Sequence, residues 1–302
     1  MVSTRPILCL GEAIVDLICE RPLAAGAFPK ELVPHPGGAL ANVAVAVSRS
    51  GAPAALTGGV GDDQWGRWLA AGLESEGVST RWLVRLDGAD TPVGIVIFGP
   101  DNEPRFQIYG EHIGPTMEAA SDRLPEAVAS SQALVIGSNT MVGAVEREVT
   151  RRAVDLAGNE GVPVLFDPNF RPNRWKGREE ARRFCQELAA RSAVIKCNRI
   201  EAELMTGEAD PLAAARALAR SGPRLVVVTD GAGKVVSAGA AEATHQPPST
   251  DVVSPLGAGD AFMGALAAGL ARLDWDFSRA GEILDEASGI AMSVCAHWGA
   301  QG

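Results

Sequence analysis

The chain has 302 residues, a formal net charge of −10 and a sequence pI near 5.0. A protein this acidic has no general attraction to nucleic acid or to acidic membranes, so neither partner is expected. The five cysteines are widely spaced and include no C-x-x-C pair, which argues against a disulfide framework or a zinc cluster. Together these features predict an enzyme of the cytoplasm with buried thiols.

The length suits one large α/β unit, so residues 1–302 are predicted to form a single domain. The apolar run Ile7–Leu10 is soon interrupted by Glu12 and Asp16, which indicates a strand and not a signal peptide. Apolar runs elsewhere also fall short of the roughly 20 residues that a membrane helix needs. We therefore expect no membrane segment.

The first 111 residues mix strands and helices without a regular rhythm. Their patterns predict strands over residues 6–20 on either side of Gly11, a helix from Gly38 to Gly51, a strand at Pro53–Thr57, a turn at Gly58–Asp63, a helix from Trp65 to Glu76, and a hairpin formed by Val93–Phe98 and Arg105–Tyr109. The hairpin breaks the alternation of strands and helices. With residues 13–36, residues 91–111 are therefore predicted to form a small sheet that projects from the main body.

From Ala133 onward, short apolar strands alternate regularly with amphipathic helices. The predicted strands are 134–136, 164–166, 194–196 and 225–228, the predicted helices are 144–160, 178–190 and 211–220, residues 234–247 form a local antiparallel segment, and a last helix runs from about Ser278 to Ala296. Such alternation predicts an α/β fold with a mainly parallel sheet and helices on both faces.

Polar residues follow several of these strands, at the sheet edge where open α/β folds bind ligands. The groups in question are Asp167-Pro168-Asn169-Phe170-Arg171, then Asn198 and Glu201, then Thr229 and the turn from Asp230 to Lys234. Each group by itself is equally compatible with a solvated loop. Their convergence on one edge favours a binding site.

The stretch Ser254–Phe262 contains Gly257-Ala258-Gly259-Asp260, in which three small residues precede an acid and an apolar helix. Bare N–H groups at such a helix start can bind an anion. A negative charge at Asp260 would repel a phosphate. Its presence here is explained if Asp260 takes a proton from a hydroxyl that attacks the phosphate, as a kinase base does. The alternative is an ordinary acid that stabilises the first turn of a helix.

A second glycine-rich start, Pro36-Gly37-Gly38, precedes a helix with Asn42 one turn inside it. Paired glycines allow unusual backbone angles or close approach of a ligand. Asp16 lies within an otherwise apolar run, where a carboxylate needs a partner. For Asp16, ligand binding and a structural hydrogen bond are equally open; for Asn42 the alternative is a solvated surface residue.

Three other enzyme classes lack their sequence signatures. Gly233-Lys234 is preceded by Val228 where a P-loop needs its first glycine, and no G-x-S-x-G elbow indicates a serine hydrolase. Gly11 is followed by Glu12 and Ala13, so the dinucleotide-binding fingerprint of a dehydrogenase is missing as well.

With Gly37-Gly38-x-x-x-Asn42 early and Gly257-Ala258-Gly259-Asp260 late, the sequence resembles the ribokinase/fructokinase (PfkB-type) carbohydrate kinases over essentially its whole length. Gly11-Glu12-x-x-x-Asp16 and Asp167-Pro168-Asn169-x-Arg171 are most like the fructokinase branch, and 2-keto-3-deoxygluconate kinases are similar at the second motif. The resemblance implies a ribokinase-like three-layer α/β/α fold with a small β-sheet lid, inserted from about 13–36 and 91–111.

The resemblance also implies roles for residues at matching positions. Asp260 would be the catalytic base, and the N–H groups of Gly257, Ala258 and Gly259 the anion hole. The implied sugar contacts are Asp16, Gly37, Gly38, Asn42, Arg105, Tyr109, Asn169 and Arg171. The implied nucleotide contacts are Asn198, Thr229, Gly231 and Gly233, and Glu201 with Asn198 would organise Mg²⁺, largely through water.

ATP and Mg²⁺ are the implied cofactors, and the reaction is phosphorylation of a sugar's primary hydroxyl. Fructose, giving fructose 6-phosphate, is the first candidate; 2-keto-3-deoxygluconate, ribose, a nucleoside, or a non-catalytic sugar or nucleotide sensor are the alternatives. Family members often carry Asp-Thr-Thr before the anion hole, where a monovalent cation binds. Here Ser254, Pro255 and Leu256 replace it, which argues against potassium activation unless backbone carbonyls serve. A homodimer through the lid sheet is a further expectation.

Overall fold

The computed structural model describes residues 4–100, 102–110 and 113–301. Within these ranges the strands are β1 Ile7–Leu10, β2 Ile14–Pro22, β3 Val33–Gly37, β4 Ala54–Gly61, β5 Val78–Leu86, β6 Val93–Phe98, β7 Pro104–Tyr109, β8 Ala133–Gly137, β9 Val164–Asp167, β10 Val194–Asn198, β11 Leu225–Thr229, β12 Val235–Gly239 and β13 Ala243–His245. The α-helices are α1 Ala39–Arg49, α2 Gln64–Ser75, α3 Ile113–Ala120, α4 Leu124–Ala129, α5 Ala144–Glu160, α6 Arg178–Ala189, α7 Arg199–Thr206, α8 Pro211–Ala219, α9 Ala258–Arg272 and α10 Leu284–Val294.

The main sheet has nine strands in the order β13-β12-β11-β10-β9-β8-β1-β4-β5. The pairs from β11 to β5 are parallel, and β12 and β13 add to one edge antiparallel. Alternate residues of the central strands enter two separate apolar clusters, one under α1, α9 and α10 and one under α4, α5 and α6. The predicted α/β fold with helices on both faces is confirmed.

A separate four-stranded sheet has the order β3-β2-β6-β7, with β2 parallel to β6 and the other pairs antiparallel. It is the predicted lid, and its strands lie within the predicted residues 13–36 and 91–111, apart from the last residue of β3. Residues 101 and 111 of the predicted lid lie outside the described residues. The treatment of the whole chain as one domain with an inserted lid stays a prediction.

The predicted turn at Gly58–Asp63 is wrong, because β4 continues through the glycines to Gly61 and pairs with β5 as far as Leu86. A Cβ at Gly58 would lie 2.1 Å from the carbonyl oxygen of Gly11, and one at Gly61 would lie 2.2 Å from that of Ala89. The glycines therefore mark close approaches of the chain to a buried strand, and not a reversal of its direction.

The last predicted helix also begins too early. Phe277–Glu282 is a 3₁₀ turn, and α10 starts only at Leu284. Strand β5 and helices α3, α4 and α7 were not predicted at all. No helix of the described ranges combines the length and the apolar composition that crossing a membrane requires.

Candidate active site

Helix α9 begins at the edge of the main sheet with a first turn that carries almost no side chains. Gly257 caps the helix with a left-handed φ of 82°, and a Cβ there would lie 2.5 Å from Ala300. Both facts require glycine. Gly257 offers no capping side chain, and among the described residues the N–H of Ala258 donates to the carbonyl oxygen of Pro255 over a long 3.4 Å. The first turn of α9 therefore presents N–H groups that an anion could approach.

Asp260 lies in this first turn and is 5% exposed. Asn42 Nδ2 donates to its Oδ2 at 2.9 Å, and Asn169 Nδ2 donates to its Oδ1 at 2.7 Å. Burial raises the pKa of Asp260 to about 6, although the hydrogen bond from Asn42 lowers it. The carboxylate is thus held in place by two amides and is able to accept a proton near neutral pH.

A buried ion pair lies beside the start of α9. Lys196 Nζ donates to Asp167 Oδ2 at 2.9 Å, and both side chains are about 5% exposed or less. Burial by itself lowers the pKa of Lys196, but the nearby carboxylates of Asp167 and Glu201 raise it on balance. A Cβ at Gly259 would lie 2.9 Å from Nζ, so glycine admits the ammonium group to the first turn of α9.

A cleft of about 230 Å³ opens in front of Asp260 and Lys196. Its walls come from the ends of β7, β9 and β10, the start of α7 and the start of α9, and its lining includes Asp167, Asn169, Arg171, Asn198, Glu201, Gly257 and Gly259. The structure therefore brings together predicted residues from widely separated parts of the chain.

Asp16 belongs to the lid and is 4% exposed. A Cβ at Gly37 would lie 2.1 Å from its Oδ2, and one at Gly94 would lie 2.7 Å from its Oδ1. Burial raises the pKa of Asp16 to about 7; the charge of Arg171 lowers it, and the charges of Asp260 and Glu12 raise it. Within the described residues Asp16 Oδ1 has no hydrogen-bond partner, which is the state expected of an acceptor that awaits a ligand hydroxyl.

Glu12 and Asn139 form a second buried polar group near Asp16. Asn139 Nδ2 donates to Glu12 Oε1 at 3.2 Å, while Glu12 Oε2 and Asn139 Oδ1 have no partner among the described residues. Burial raises the pKa of Glu12, and the charges of Arg174 and Arg171 lower it. Like Asp16, the group presents acceptor oxygens.

Asn198 and Glu201 cap α7 reciprocally. Asn198 Oδ1 accepts from the Glu201 N–H at 2.9 Å, and Glu201 Oε2 accepts from the Asn198 N–H at 2.8 Å. Glu201 Oε1 also accepts from the N–H of Phe170 at 2.8 Å. Each carboxylate oxygen therefore keeps one lone pair free.

This arrangement fits a magnesium ion held mainly through water. In the parts of the chain that the structure describes, no group of three or more His, Cys, Asp or Glu side chains could hold a metal. Magnesium commonly uses one or two carboxylates, several waters and the phosphates of its substrate. Glu201, buried at the cleft wall, is a carboxylate of that kind.

The other predicted residues are not among those that line the cleft. Gly38 has a left-handed φ of 99° and caps α1, and Thr229 is level with Asn198 on the neighbouring strand. Gly231 and Gly233 lie in the turn after β11. Arg105 and Tyr109 lie on β7 outside the cleft lining, and Tyr109 is half exposed.

Arg171 stacks over the ring of Phe106, with 4.7 Å between the guanidinium carbon and the ring centroid. Phe106 belongs to β7, and its carbonyl accepts from Asn173 Nδ2 at 2.7 Å. These contacts fasten the lid to the loop after β9.

Sequence reasoning assigned no role to Lys196, Asp167, Glu12, Asn139 or Phe106. Lys196 did carry a signal, since a charge inside the run Val194–Cys197 needs a buried partner. Asp167 was noted only as a strand-end acid. Asn139 and Phe106 had no signal, because ordinary loops and strands contain the same residue types.

The model of the pfkB family carbohydrate kinases matches residues 4–302. Fructokinase-1 of Zea mays is 33% identical over 269 residues, covering 86% of this chain and 81% of that protein. The fructokinase of Klebsiella pneumoniae is 33% identical over 267 residues, covering 88% and 84%.

Among solved structures, a fructokinase with bound ATP from Xylella fastidiosa superposes with a TM-score of 0.85 at 27% identity, covering 99% of this chain and 94% of that one. A double mutant of the Vibrio cholerae fructokinase with fructose, ADP and potassium bound gives 0.84 at 26% identity, covering 100% and 95%. The predicted ribokinase-like fold is thereby confirmed.

The family match spans nearly the whole chain, and the relatives in sequence and in structure are sugar kinases. The chain belongs to the pfkB family of carbohydrate kinases and is a phosphotransferase with an alcohol group as acceptor.

Proposed function

We propose that this kinase transfers the γ-phosphoryl group of ATP to the primary hydroxyl of fructose, giving fructose 6-phosphate and ADP. The observation that carries the proposal is the carboxylate of Asp260, held by Asn42 and Asn169 in the bare first turn of α9. The fructokinase relatives and the neighbour with bound ATP support the choice of acceptor and donor.

In the proposed reaction Asp260 accepts the proton of the hydroxyl as its oxygen attacks the γ-phosphorus and the bond to ADP breaks. The N–H groups of Gly257, Ala258 and Gly259 act as the anion hole for the transferring phosphoryl group. Donors that are already oriented toward the developing charge need no reorganisation, and losing one such donor typically costs about 10²–10³ in kcat.

Mg²⁺, when bound with ATP near Glu201 and Asn198, would neutralise charge on the phosphates. Thr229, Gly231 and Gly233 would lie against the nucleotide, since they occupy the sheet edge beside Asn198. Lys196 would add a fixed positive charge beside the anion hole. The lid would cover the sugar and exclude water from the reaction.

The buried polar groups around Asp16 favour a neutral sugar over a keto-acid. Asp16, Glu12 and Asn139 present acceptor oxygens without partners among the described residues, and two of the three are carboxylates. Sugar hydroxyls can donate to these atoms, whereas a carboxylate ligand has no hydrogen to donate to them. Gly37, Gly38 and Asn42 would complete the sugar contacts.

A 2-keto-3-deoxygluconate kinase is the second candidate, because Arg171 projects into the cleft and could pair with an acidic sugar. Arg105 lies next to it in a neighbouring groove, and Tyr109 is further along the same strand. For this second candidate, pairing of the sugar carboxylate with Arg171 and Arg105 would have to outweigh its unfavourable contact with the acceptor oxygens of Asp16 and Glu12.

The test is ATP-dependent release of ADP with fructose, 2-keto-3-deoxygluconate, ribose, adenosine and glucose, with sodium or potassium. We expect turnover with fructose and little response to potassium, because Ser254, Pro255 and Leu256 supply no carboxylate or threonine hydroxyl. Turnover confined to the keto-acid would select the second candidate. ATP binding without turnover of any acceptor would refute both and favour a sensor.

A further inference from the structure

Residues Trp298–Gln301, which follow α10, lie between the lid and the start of α9. The ring of Trp298 packs edge-on against Phe98 of β6, with 5.0 Å between centroids and 69° between planes. Ala300 lies so close to Gly257 that a Cβ on this glycine would lie 2.5 Å from it. This segment, here called the bridging segment, thus contacts both the lid and the proposed anion hole.

The side chain of Gln301 reaches the residue that holds Asp260. Gln301 Nε2 donates to Asn42 Oδ1 at 3.1 Å, and Asn42 Nδ2 donates to Asp260 Oδ2 at 2.9 Å. A primary amide has an acceptor end and a donor end. A donor fixed at the oxygen end therefore keeps the nitrogen end directed at Asp260.

The backbone of Gln301 is held independently of its side chain. Arg49 donates to the carbonyl oxygen of Gln301, and Arg49 is itself held by two hydrogen bonds to Glu76, at 2.8 and 2.9 Å. Replacing the side chain of Gln301 leaves this anchor intact. The bridging segment should then keep its place.

Gln301 does not line the cleft in front of Asp260. With Asn42 and Ser293 it lines a different cavity of about 200 Å³, on the side of α1 and α10. A substrate in the cleft would not touch Gln301. Its influence on the reaction would have to pass through Asn42.

We propose that Gln301 is a positioning residue, which fixes the amide of Asn42 in the orientation that donates to Asp260. This inference rests on the proposed function of Asp260 as the base. With Gln301 in place, one oxygen of the base stays hydrogen-bonded and the base keeps a fixed orientation toward the cleft. The order Gln301, Asn42, Asp260 joins residues from the bridging segment, α1 and α9.

Three variants test the chain of hydrogen bonds. Gln301→Leu removes the donor, and Gln301→Glu replaces it with an acceptor that competes with Asp260 for the amide of Asn42. Ser293→Ala is the matched control, because it alters the cavity that Gln301 and Asn42 line but leaves the hydrogen bonds among Gln301, Asn42 and Asp260 in place. Thermal unfolding of each variant shows whether it is folded.

The readout is the pKa of Asp260, measured without substrate by ¹³C NMR of the labelled carboxyl carbon and assigned with D260N. The hydrogen bond from Asn42 lowers this pKa, so weakening it should raise the pKa in Q301L and more in Q301E. Loss of one hydrogen bond corresponds to a change of about three- to tenfold in the acid dissociation constant of Asp260, and kcat/KM at pH 6 should fall because less of the base is ionised. S293A should leave both quantities unchanged.

A double-mutant cycle separates positioning from a merely structural role. If Gln301 acts through Asn42, Q301L should have no further effect on the pKa of Asp260 in the N42A background. An unchanged pKa in folded Q301L and Q301E, or additive effects in the cycle, would overturn the inference. Since NMR needs no turnover, a raised pKa without fructose phosphorylation would refute the proposed function and leave the positioning of Asp260 by Gln301 standing.

Discussion

Asp260 is the residue on which the proposed chemistry depends, so its amide variant is the first prediction. In D260N the side chain can no longer accept a proton, and kcat should fall by about 10²–10⁴-fold, the usual contribution of a general base. ATP affinity should not fall and should rise slightly, because D260N removes a negative charge that repels the phosphates. Kinetics and nucleotide titration of the folded variant test both statements.

The matched control for D260N is D16N. Asp16 is also a buried acid, and its charge interacts with that of Asp260, but it would bind sugar hydroxyls and not the reacting proton. D16N should therefore act mainly on the KM for the sugar. Equal losses of kcat in both variants would contradict the assignment of the base to Asp260.

The raised pKa of Asp260, about 6, predicts the pH dependence. Below this value the carboxyl is protonated and cannot accept a proton, so kcat/KM should fall by about tenfold per pH unit. Above it a second change in kcat/KM is expected near pH 7, where Asp16 titrates, and D16N should remove that change. Because Asp16 and Asp260 interact, D16N should leave the limb near pH 6 or move it slightly lower; a limb near pH 4 would show that Asp260 is not the titrating base.

The ion pair of Lys196 and Asp167 predicts a large effect on stability. Lys196→Met leaves Asp167 as an unpaired buried charge and should lower the free energy of unfolding by about 3–5 kcal/mol. Adding D167N should restore part of this loss, because the uncompensated charge disappears. Urea unfolding measures both.

An exposed ion pair serves as the control for K196M. Arg216 and Glu242 are each about half exposed, so R216M should cost at most about 1 kcal/mol. A loss in K196M no larger than in R216M would contradict the buried pair.

At the scale of elements, the start of α9 depends on one glycine. Gly257→Ala would place a side chain in a left-handed conformation, which costs about 1–2 kcal/mol, and against Ala300, which lies 2.5 Å from the added Cβ. Both stability and kcat should fall, because the N–H groups of the anion hole would move.

Gly289→Ala is the matched variant in α10, where an added Cβ meets no atom within 4 Å. It should gain up to about 1 kcal/mol of stability, since alanine favours a helix over glycine, and should leave kcat unchanged. Thermal unfolding and steady-state rates distinguish the two variants. A G257A enzyme with full kcat would argue against the proposed anion hole.

At the scale of the whole molecule, the lid has two different surfaces. Ile18, Val96 and Phe98 pack with Leu256 and Ala300 in a third apolar cluster next to α9. Leu256 is one of the three residues that replace the family's cation-binding Asp-Thr-Thr. Its side chain instead joins the lid to the start of α9. The lid is attached to the body by apolar contacts as well as by Phe106 and Arg171.

The other lid surface supports the proposal of a homodimer. Val93 packs at the edge of the largest cluster, whereas Ile95 and Ile97 are half-buried and lie outside the three clusters of the described residues. If this surface pairs two chains, light scattering should show a dimer, and Ile95→Lys should convert it into a monomer. A monomeric parent protein would refute the pairing.

The sequence by itself determined the regular part of the fold and named candidates for the reactive groups. Periodic apolar residues predicted the strands from β8 to β11 and the helices α5, α6 and α8, because burial on two faces of a parallel sheet leaves a strong local pattern. Gly257–Asp260 likewise predicted a helix start, because the pattern of small residues followed by an acid lies in consecutive positions. Asp16, Asn42 and Asp260 could be named as candidates, but their place in one site followed only from the family resemblance and not from any local pattern.

The tertiary structure decided which residues approach one another across the chain. Gly58 and Gly61 looked like a turn because local preference favours one, but the closeness of Gly11 and Ala89 makes glycine necessary inside a strand. Lys196 with Asp167, and Gln301 with Asn42, pair residues 29 and 259 positions apart. Hydrogen bonds and ion pairs of this kind have no period along the sequence, so only the folded chain reveals them.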